Sequence, residues 1–582
     1  IITSVTYSTN TANNSTDTSV LAAAVDPTAV AASSNLTLTL TSSVDGLTGG
    51  DGDDTFVADN TGTTAASSTA DVLDGGSGTD KLQLFTKGTL ASAAVPNVSN
   101  IEILEVYDLN VALDVSSKDF SSVVINRGEG DDTITLGTDA TATLVDVVVG
   151  TGTDNAAQTI AYKAAATSGE LTLNGVTAKG TDTNEDVAVT GAALTSFTVN
   201  TSGTKSKFDA LDLAAAKTIT LNLGVELDAP IETTGTSGSL TITGAGAAKL
   251  GALAAGLDTV DASGNSGGLT ASIGANSDTV LTGSSGADVI TASSTDSIAS
   301  AAKLAVDAGD GVDTLIVGDA NDVNTAADGA RYTNFETVRL ADTQDMQYFS
   351  GITAIEMSAA SSKTISNITA DQASNITILG NQGTAFGLAL ASSSGSSDSV
   401  TMNLASATAT TNVTVAGLTM NGVETLNLNA TTGTAGTDST LAFAAADKLT
   451  AINVTGTADV AINGSNITKA VTIGAGSDGY TGALTVTGSL AKGSTVTGTD
   501  AKDEFTVSST LGSTYNGAGG DDKITAAVAT LVADGSDDTV VQGGDGTDEL
   551  IISDAAATLT DNHFTFVSGM EKITTSTGDT SI

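Results

Sequence analysis

The residues of this chain best suited to chemistry are aspartates that follow glycines at fixed spacing. Gly49-Gly50-Asp51-Gly52-Asp53-Asp54-Thr55-Phe56-Val57 reads G-G-x-G-x-D-x-U-x, where U is a large apolar residue. Gly75-Gly76-Ser77-Gly78-Thr79-Asp80-Lys81-Leu82-Gln83 and Gly543-Gly544-Asp545-Gly546-Thr547-Asp548-Glu549-Leu550-Ile551 repeat it. Glycines allow the backbone to turn tightly enough to aim successive carbonyl oxygens at one point. The aspartate adds a hard anionic oxygen, and Ca²⁺ takes about six to eight such ligands. One turn offers too few, so two must face each other.

The turns do come in pairs. Asp54 and Asp80 lie 80 − 54 = 26 residues apart, Asp288 and Asp313 lie 25 apart, and Asp522 and Asp548 again 26 apart. The second pair is built on Gly283-Ser284-Ser285-Gly286-Ala287-Asp288 and Ala308-Gly309-Asp310-Gly311-Val312-Asp313. The third opens with Gly517-Ala518-Gly519-Gly520-Asp521-Asp522. The leading aspartates are separated by 288 − 54 = 234 and 522 − 288 = 234 residues, the mark of an internal duplication. A glutamate follows each pair, Glu102, Glu336 and Glu571, just before an apolar run. It either completes a metal shell or, the favoured reading, accepts backbone N–H groups at a strand start. Half-motifs at 127–134 and 149–154 bring Asp131, Asp132 and Asp154 as a further candidate site. In Gly498-Thr499-Asp500-Ala501-Lys502-Asp503 a lysine enters the turn and argues against a metal there.

Isolated Gly-Asp turns are simply good turns. Their pairing and recurrence favour Ca²⁺, with Asp51, Asp53, Asp54, Asp80, Asp131, Asp132, Asp154, Asp288, Asp310, Asp313, Asp521, Asp522, Asp545 and Asp548 as candidate ligands.

Such turns need strands to hold them. Leu36-Thr37-Leu38-Thr39-Leu40-Thr41 alternates with period two, as a half-buried strand does. Thr218-Ile219-Thr220-Leu221-Asn222-Leu223 and Val423-Glu424-Thr425-Leu426-Asn427-Leu428 continue the same grammar between Gly, Asn and Asp turns. The fold class expected is all-β: solenoid or β-helix-like modules, or a string of β-sandwiches, with the small side chains and Asn-rich turns favouring the solenoid. The boundaries expected are an N-terminal segment 1–45, a repeat unit 46–279 opening with a cassette at 46–109, a second unit 280–513 with its cassette at 280–343, and a partial third at 514–582. Helix signals are scarce, with single turns conceivable at Leu213–Lys217 and Phe443–Lys448.

Composition narrows the function. Sixty-seven acidic residues against 20 basic ones give a formal net charge of −47. Nucleic acid and anionic membrane both demand Lys and Arg, so neither is expected as a direct partner. At 40% hydrophobic residues the chain can still bury a core, and bound cations would relieve its self-repulsion. There is no cysteine, so metal rather than disulfide would staple an extracellular form. No apolar run is long enough to span a membrane. The opening Ile1-Ile2-Thr3 shows neither initiator Met nor signal peptide, and the chain reads as part of a longer or processed polypeptide. His563 is the single histidine, Trp is absent, and Arg127, Arg331 and Arg339 are scattered. No catalytic constellation stands out, and the chain is read as a non-enzyme.

The nonapeptides at 49–57, 75–83 and 543–551, with the phrases Asn334-Phe335-Glu336-Thr337-Val338-Arg339-Leu340 and Gly422-Val423-Glu424-Thr425-Leu426-Asn427-Leu428, resemble the RTX-containing surface-layer (S-layer) proteins of Gram-negative bacteria, Caulobacter-type. The nonapeptide is the Ca²⁺-binding RTX repeat. The resemblance implies export by a type I secretion system, Ca²⁺-dependent folding outside the cell, and a two-dimensional homo-oligomeric lattice anchored to lipopolysaccharide. The anchoring domain and secretion signal are not recognisable in this sequence. An RTX adhesin or biofilm-matrix protein is the alternative, and a secreted β-helix polysaccharidase a more distant one.

Overall fold

Alternation of aliphatic with Thr, Ser or Asn residues makes strands that bury one face and solvate the other. A computed structural model of the chain describes residues 35–575 apart from 89–94, 131, 151–156, 181–184, 214, 234–236, 297, 361, 408–410, 434–435, 534, 536 and 556–557. The chain is nearly all-β, a solenoid of about 21 turns built from parallel stacked coils. Of the two architectures left open by the sequence, solenoid and sandwich, the described pairings are all those of a solenoid. It divides into two compact units, residues 1–289 with 302–311, and residues 290–301 with 312–582.

In the first unit the strands Thr55–Asp59, Lys81–Gly88, Ile103–Leu109, Ser122–Asn126, Thr141–Val145, Ser168–Asn174, Ser196–Thr201, Thr218–Leu223 and Gly238–Gly244 stack in sequence order along one sheet. Its inner face carries parallel files of buried side chains, one of them Leu84, Val106, Ile125, Leu144 and Leu173. Leu82, Leu104, Val123, Ala142, Leu171, Val199, Leu221 and Ile242 are register partners from coil to coil, and all are buried. Each coil here also sends strands to neighbouring sheets, as Val148–Val149 and Gln158–Tyr162 do after Thr141–Val145. On the outer face Asn222 Nδ2 donates to Asn200 Oδ1 at 2.9 Å, and Thr243 Oγ1 to Asn222 Oδ1 at 2.8 Å.

In the second unit most coils contribute two strands, such as Thr425–Ala430 and Ser439–Ala445. Val400, Leu426, Ile452, Ile473, Val496, Tyr515 and Val541 form the buried file. Asn453 Nδ2 donates to Asn427 Oδ1 at 2.9 Å outside it, across an offset of 26 residues. The buried positions are filled mostly by Leu, Ile, Val and Ala, with single aromatics such as Phe56, Phe197 and Tyr515.

The helical turns conceivable from sequence are not formed: Phe443 lies in the strand Ser439–Ala445, and no helix is assigned at the described residues of 213–217. One-turn helices occur instead at Ala326–Gly329 and Ala370–Ala373, each capped by a threonine, Thr325 and Thr369. Among the described residues no helix is long and apolar enough to cross a membrane.

Candidate metal centre

Each cassette aspartate sits in the turn just before a strand, with its apolar follower in the core: Phe56 after Asp54, Leu82 after Asp80, Leu550 after Asp548. Strand pairing therefore stacks the two turns of a cassette, and their carboxylates, on each other. Asp54, Asp80, Asp288, Asp313, Asp522 and Asp548 are all buried. In five of the six turns the side chain folds back over a glycine five residues earlier; before Asp313 that residue is Ala308. A Cβ on Gly49, Gly75, Gly283, Gly517 or Gly543 would collide with the Oδ2 of its own turn's aspartate and with a carbonyl oxygen of the next coil. This is why the first motif position is glycine.

The aspartates then form ladders. Asp54 Oδ1 accepts the N–H of Leu36 at 2.7 Å, Asp80 Oδ1 accepts that of Asp54 at 2.7 Å, and Glu102 Oε2 accepts that of Asp80 at 2.8 Å. From the turn at 498–503 into the third cassette, Asp503, Asp522, Asp548 and Glu571 repeat the sequence, their carboxylates accepting from Leu484, Asp503, Asp522 and Asp548 at 2.6–2.9 Å. In the second, Asp288 Oδ1 accepts the N–H of Leu269 at 2.6 Å, and Glu336 Oε2 that of Asp313 at 2.9 Å. The three cassette glutamates thus receive backbone N–H groups at strand starts.

The second oxygen separates two kinds of turn. Asp54 Oδ2 accepts the N–H of Gly50 at 2.6 Å, Asp288 Oδ2 that of Ser284 at 2.7 Å, and Asp503 Oδ2 that of Thr499 at 2.6 Å. The donor is in each case the residue four positions earlier. At Asp80, Asp522 and Asp548 that residue is Gly76, Ala518 or Gly544, with φ of +99°, +77° and +115°. The left-handed backbone turns the N–H elsewhere, and Oδ2 of Asp80, Asp522 and Asp548 is buried with no hydrogen-bond partner. Burial raises the pKa of Asp80 and Asp548, and like-charged neighbours add to it. Asp522 is pushed up to about 7 by burial and then by Asp503, Asp548 and Asp521.

The other candidates fall at the rim. Asp51, Asp53, Asp310, Asp521 and Asp545 are exposed. Asp53 Oδ1 accepts the N–H of Thr79 at 2.8 Å and Asp521 Oδ1 that of Thr547 at 2.9 Å, so adjacent coils exchange bonds in both directions. Asp132 is half-buried, and its carbonyl accepts from Thr159 N and Gln158 Nε2. Asp131 and Asp154 lie outside the described residues. Among the described residues no group of three or more acidic or histidine side chains gathers as a metal cage. A cation in these turns would take most of its protein ligands from main-chain carbonyls, as the glycine spacing anticipates.

Sequence reading missed two further pairs bonded in the same way. Glu185 N–H donates to Asp209 Oδ2 at 3.1 Å, and Asp398 N–H to Glu424 Oε2 at 2.9 Å. Glu185 Oε1 and Asp398 Oδ2 are again buried without partners. The phrase Val423-Glu424-Thr425 carried the signal for the second; nothing in the sequence pairs 185 with 209. Lys502 lies 3.7 Å from Glu504 Oε1 rather than against Asp503, whose oxygens the main chain already satisfies. His563 accepts the N–H of Thr560 at Nδ1 in the cap of a short 3₁₀ turn, Asp561–Phe564.

No family model matches the chain, and no curated protein matches it. The fold and the turns stand on their own geometry.

Proposed function

We propose that this chain is a non-enzymatic structural protein of the bacterial cell surface, an RTX-type solenoid that folds on Ca²⁺ and assembles with copies of itself into an S-layer lattice. The observation that carries the reading is the buried, unpartnered carboxylate oxygen at Asp80, Asp522 and Asp548. A buried polar atom left unpaired costs about 1–3 kcal/mol, more when charged. A hard cation is the partner that a carboxylate beside main-chain carbonyls takes best. Asp80 would hold an ion in the first cassette, with Asp54 setting the turn beside it, and Asp522 and Asp548 would do so in the third. The exposed Asp51, Asp53, Asp310, Asp521 and Asp545 add an anionic rim that draws cations in.

The same chemistry links folding to export and assembly. At −47 net charge the chain repels itself until cations bind. Each ion that binds only the folded state adds about 2.7 kcal/mol when its free concentration is a hundred times Kd. A calcium-poor cytoplasm keeps the chain loose for a type I exporter, and external Ca²⁺ then folds it and bridges anionic neighbours. Contact with lipopolysaccharide would fall to a region not recognisable in this sequence.

Electron microscopy and circular dichroism of the purified full chain, with Ca²⁺ and through a chelator titration, test the reading. Two-dimensional sheets that disperse on chelation, with a cooperative loss of β-signal, are expected. Isolated rods or fibres favour the adhesin or matrix alternative. An intact assembly with an unchanged spectrum after complete removal of Ca²⁺ overturns the proposal.

A further inference from the structure

Seven successive strands of one sheet in the second unit, from Ser399–Leu404 to Val540–Asp545, turn a row of uncharged side chains to solvent. On each strand the buried residue of the file from Val400 to Val541 is flanked by two outward residues, one before it and one after it. All of these are exposed or half-exposed. Thr425, Asn427, Asn453, Thr472, Thr497 and Asn516 are typical, and the others are Ser, Thr, Gln, Ala, Val and Gly. None is acidic or basic. A typical protein surface is about 25–35% charged, which would place about four charged residues among these positions.

The stacking of coils does not by itself exclude charge. On the other sheet of the same unit Glu504, Lys523, Glu549 and Lys572 are register partners on successive coils. Lys523 Nζ lies 3.6 Å from Glu504 Oε1, and Lys572 Nζ 2.8 Å from Glu549 Oε1. Opposite charges thus ladder from strand to strand as readily as amides do. On the uncharged face amides and hydroxyls make the ladder instead. Besides the bond from Asn453 to Asn427, Asn429 Nδ2 donates to Asn403 Oδ1 at 3.1 Å, and Asn403 Nδ2 to Thr377 Oγ1 at 3.3 Å. These bonds fix the side chains in rows and leave hydroxyls and amide edges turned outward. The lack of charge on this face needs a reason other than the fold.

At a net charge of −47, copies of this chain repel one another wherever their acidic surfaces approach. A face without charge escapes that repulsion and can be covered without desolvating an ion. Depletion of charge is also what marks the core of a protein interface. Amides and hydroxyls both donate and accept, so rows of them complement a copy of themselves turned about a two-fold axis. We infer that this face is a contact between two copies of the chain, laid face to face. A charged macromolecule would find nothing here to attract it. Neighbouring strands lie about 4.8 Å apart and outward residues about 6.6 Å apart along a strand, so the face covers roughly 300 Å². A standard interface takes about 800 Å² from each partner, so the contact is weak for an isolated pair. It gains strength where each copy makes several contacts at once. The inference rests on the self-assembly proposed above and names the surface through which two copies meet.

The chain has no cysteine, so Thr472→Cys places a single thiol at an exposed position in the middle of the face. With the full chain in Ca²⁺, a short bis-maleimide should join T472C into dimers. Thr525→Cys, on the sheet of the charge ladder, should give at least tenfold less, and equal yields overturn the inference. Thr472→Glu sets like charges against each other across the contact. Sedimentation should show self-association weakened at least tenfold, with the circular dichroism spectrum and Tm unchanged; undiminished association overturns the inference. Should T472E fold poorly, T472C still tests the contact without adding charge. Sheets that form in Ca²⁺ while T472C yields no dimer sink this contact and leave the lattice reading standing. Dimers of T472C without sheets do the reverse. A T472C thiol shielded from maleimide only when a neutral polysaccharide is added would make the occupant a glycan and overturn the self-contact.

Discussion

Asp548 Oδ1 accepts the main-chain N–H of Asp522 at 2.9 Å, while Thr547 N–H donates back to Asp521 Oδ1 at 2.9 Å. Two coils 26 residues apart are thereby clasped by aspartates that, on the proposed reading, also supply charge to a cation. Removing the charge and removing the clasp are separable. Asp548→Asn keeps an acceptor for Asp522, so it should leave the calcium-free chain as stable or slightly more so, and abolish part of the stabilisation by Ca²⁺. Asp548→Ala should also cost about 1.5–3 kcal/mol without calcium, the worth of a hydrogen bond to a charged group. Thermal unfolding of both variants in chelator and in Ca²⁺ checks this, and equal behaviour of the two would mean the clasp contributes nothing.

The cassette glutamates close the ladders without needing a metal. Glu571 Oε2 holds Asp548 N–H at 2.8 Å, and Glu102 holds Asp80 N–H at the same distance. Glu571→Ala should therefore destabilise the chain by about 1–3 kcal/mol in both the presence and the absence of Ca²⁺. Glu571→Gln, which keeps an acceptor, should recover most of that. Dialysis should find the ion count unchanged in the glutamine variant; a lost ion would make Glu571 a ligand.

Glycine at the first motif position is a steric requirement in the turns of Asp80 and Asp548. A methyl group on Gly543 would overlap Gly569 O and the Asp548 side chain, and one on Gly75 would overlap Asn100 O and Asp80 Oδ2. Gly543→Ala should loosen the terminal coils and raise their amide hydrogen-exchange rates well before global unfolding. Ala518 offers the opposite experiment. It sits at φ +77° where Gly76 and Gly544 stand in the other turns. A left-handed alanine costs about 1–2 kcal/mol, part of which glycine's greater freedom when unfolded offsets. Ala518→Gly should raise the midpoint of urea unfolding modestly; a lower midpoint would show that the turn is not strained.

Acid pH should stabilise the calcium-free chain. Asp522 is pushed up to about 7, and Asp503 and Asp186 to about 6, all three chiefly by burial. A carboxyl with a raised folded pKa binds its proton more tightly folded than unfolded. Stability from these groups is thus greatest near the unfolded value and falls as pH rises toward 6–7. Carboxylates whose pKa is lowered, such as Asp261 and Asp342, have already given their contribution above pH 5. Between pH 5 and 8 the chelated protein should lose Tm, whereas saturating Ca²⁺, which on the proposed reading holds Asp522 charged, should make the loss smaller. Calorimetry across that window measures both arms.

The strands were legible in the sequence because period-two alternation survives any arrangement of coils: Leu221 points inward and Thr220 outward whatever lies beside them. The buried aspartates were legible too, since the glycine at −5 and the apolar residue at +2 are local demands of one turn. Which carboxylate oxygen stays empty was not. Asp54 and Asp80 carry the same nonapeptide, yet only Asp80 has a spare oxygen, because Gly50 and Gly76 adopt different φ once their coils are stacked. Nor was the reach of the ladder. The acid that receives a given N–H lies one coil away, which is 19 residues for Asp503 and Asp522, 24 for Glu185 and Asp209, and 26 for Asp398 and Glu424. Coil length follows the loops, so no fixed period in the chain marks these pairs. Parallel stacking, which aligns backbone rather than sequence, is what brings them together.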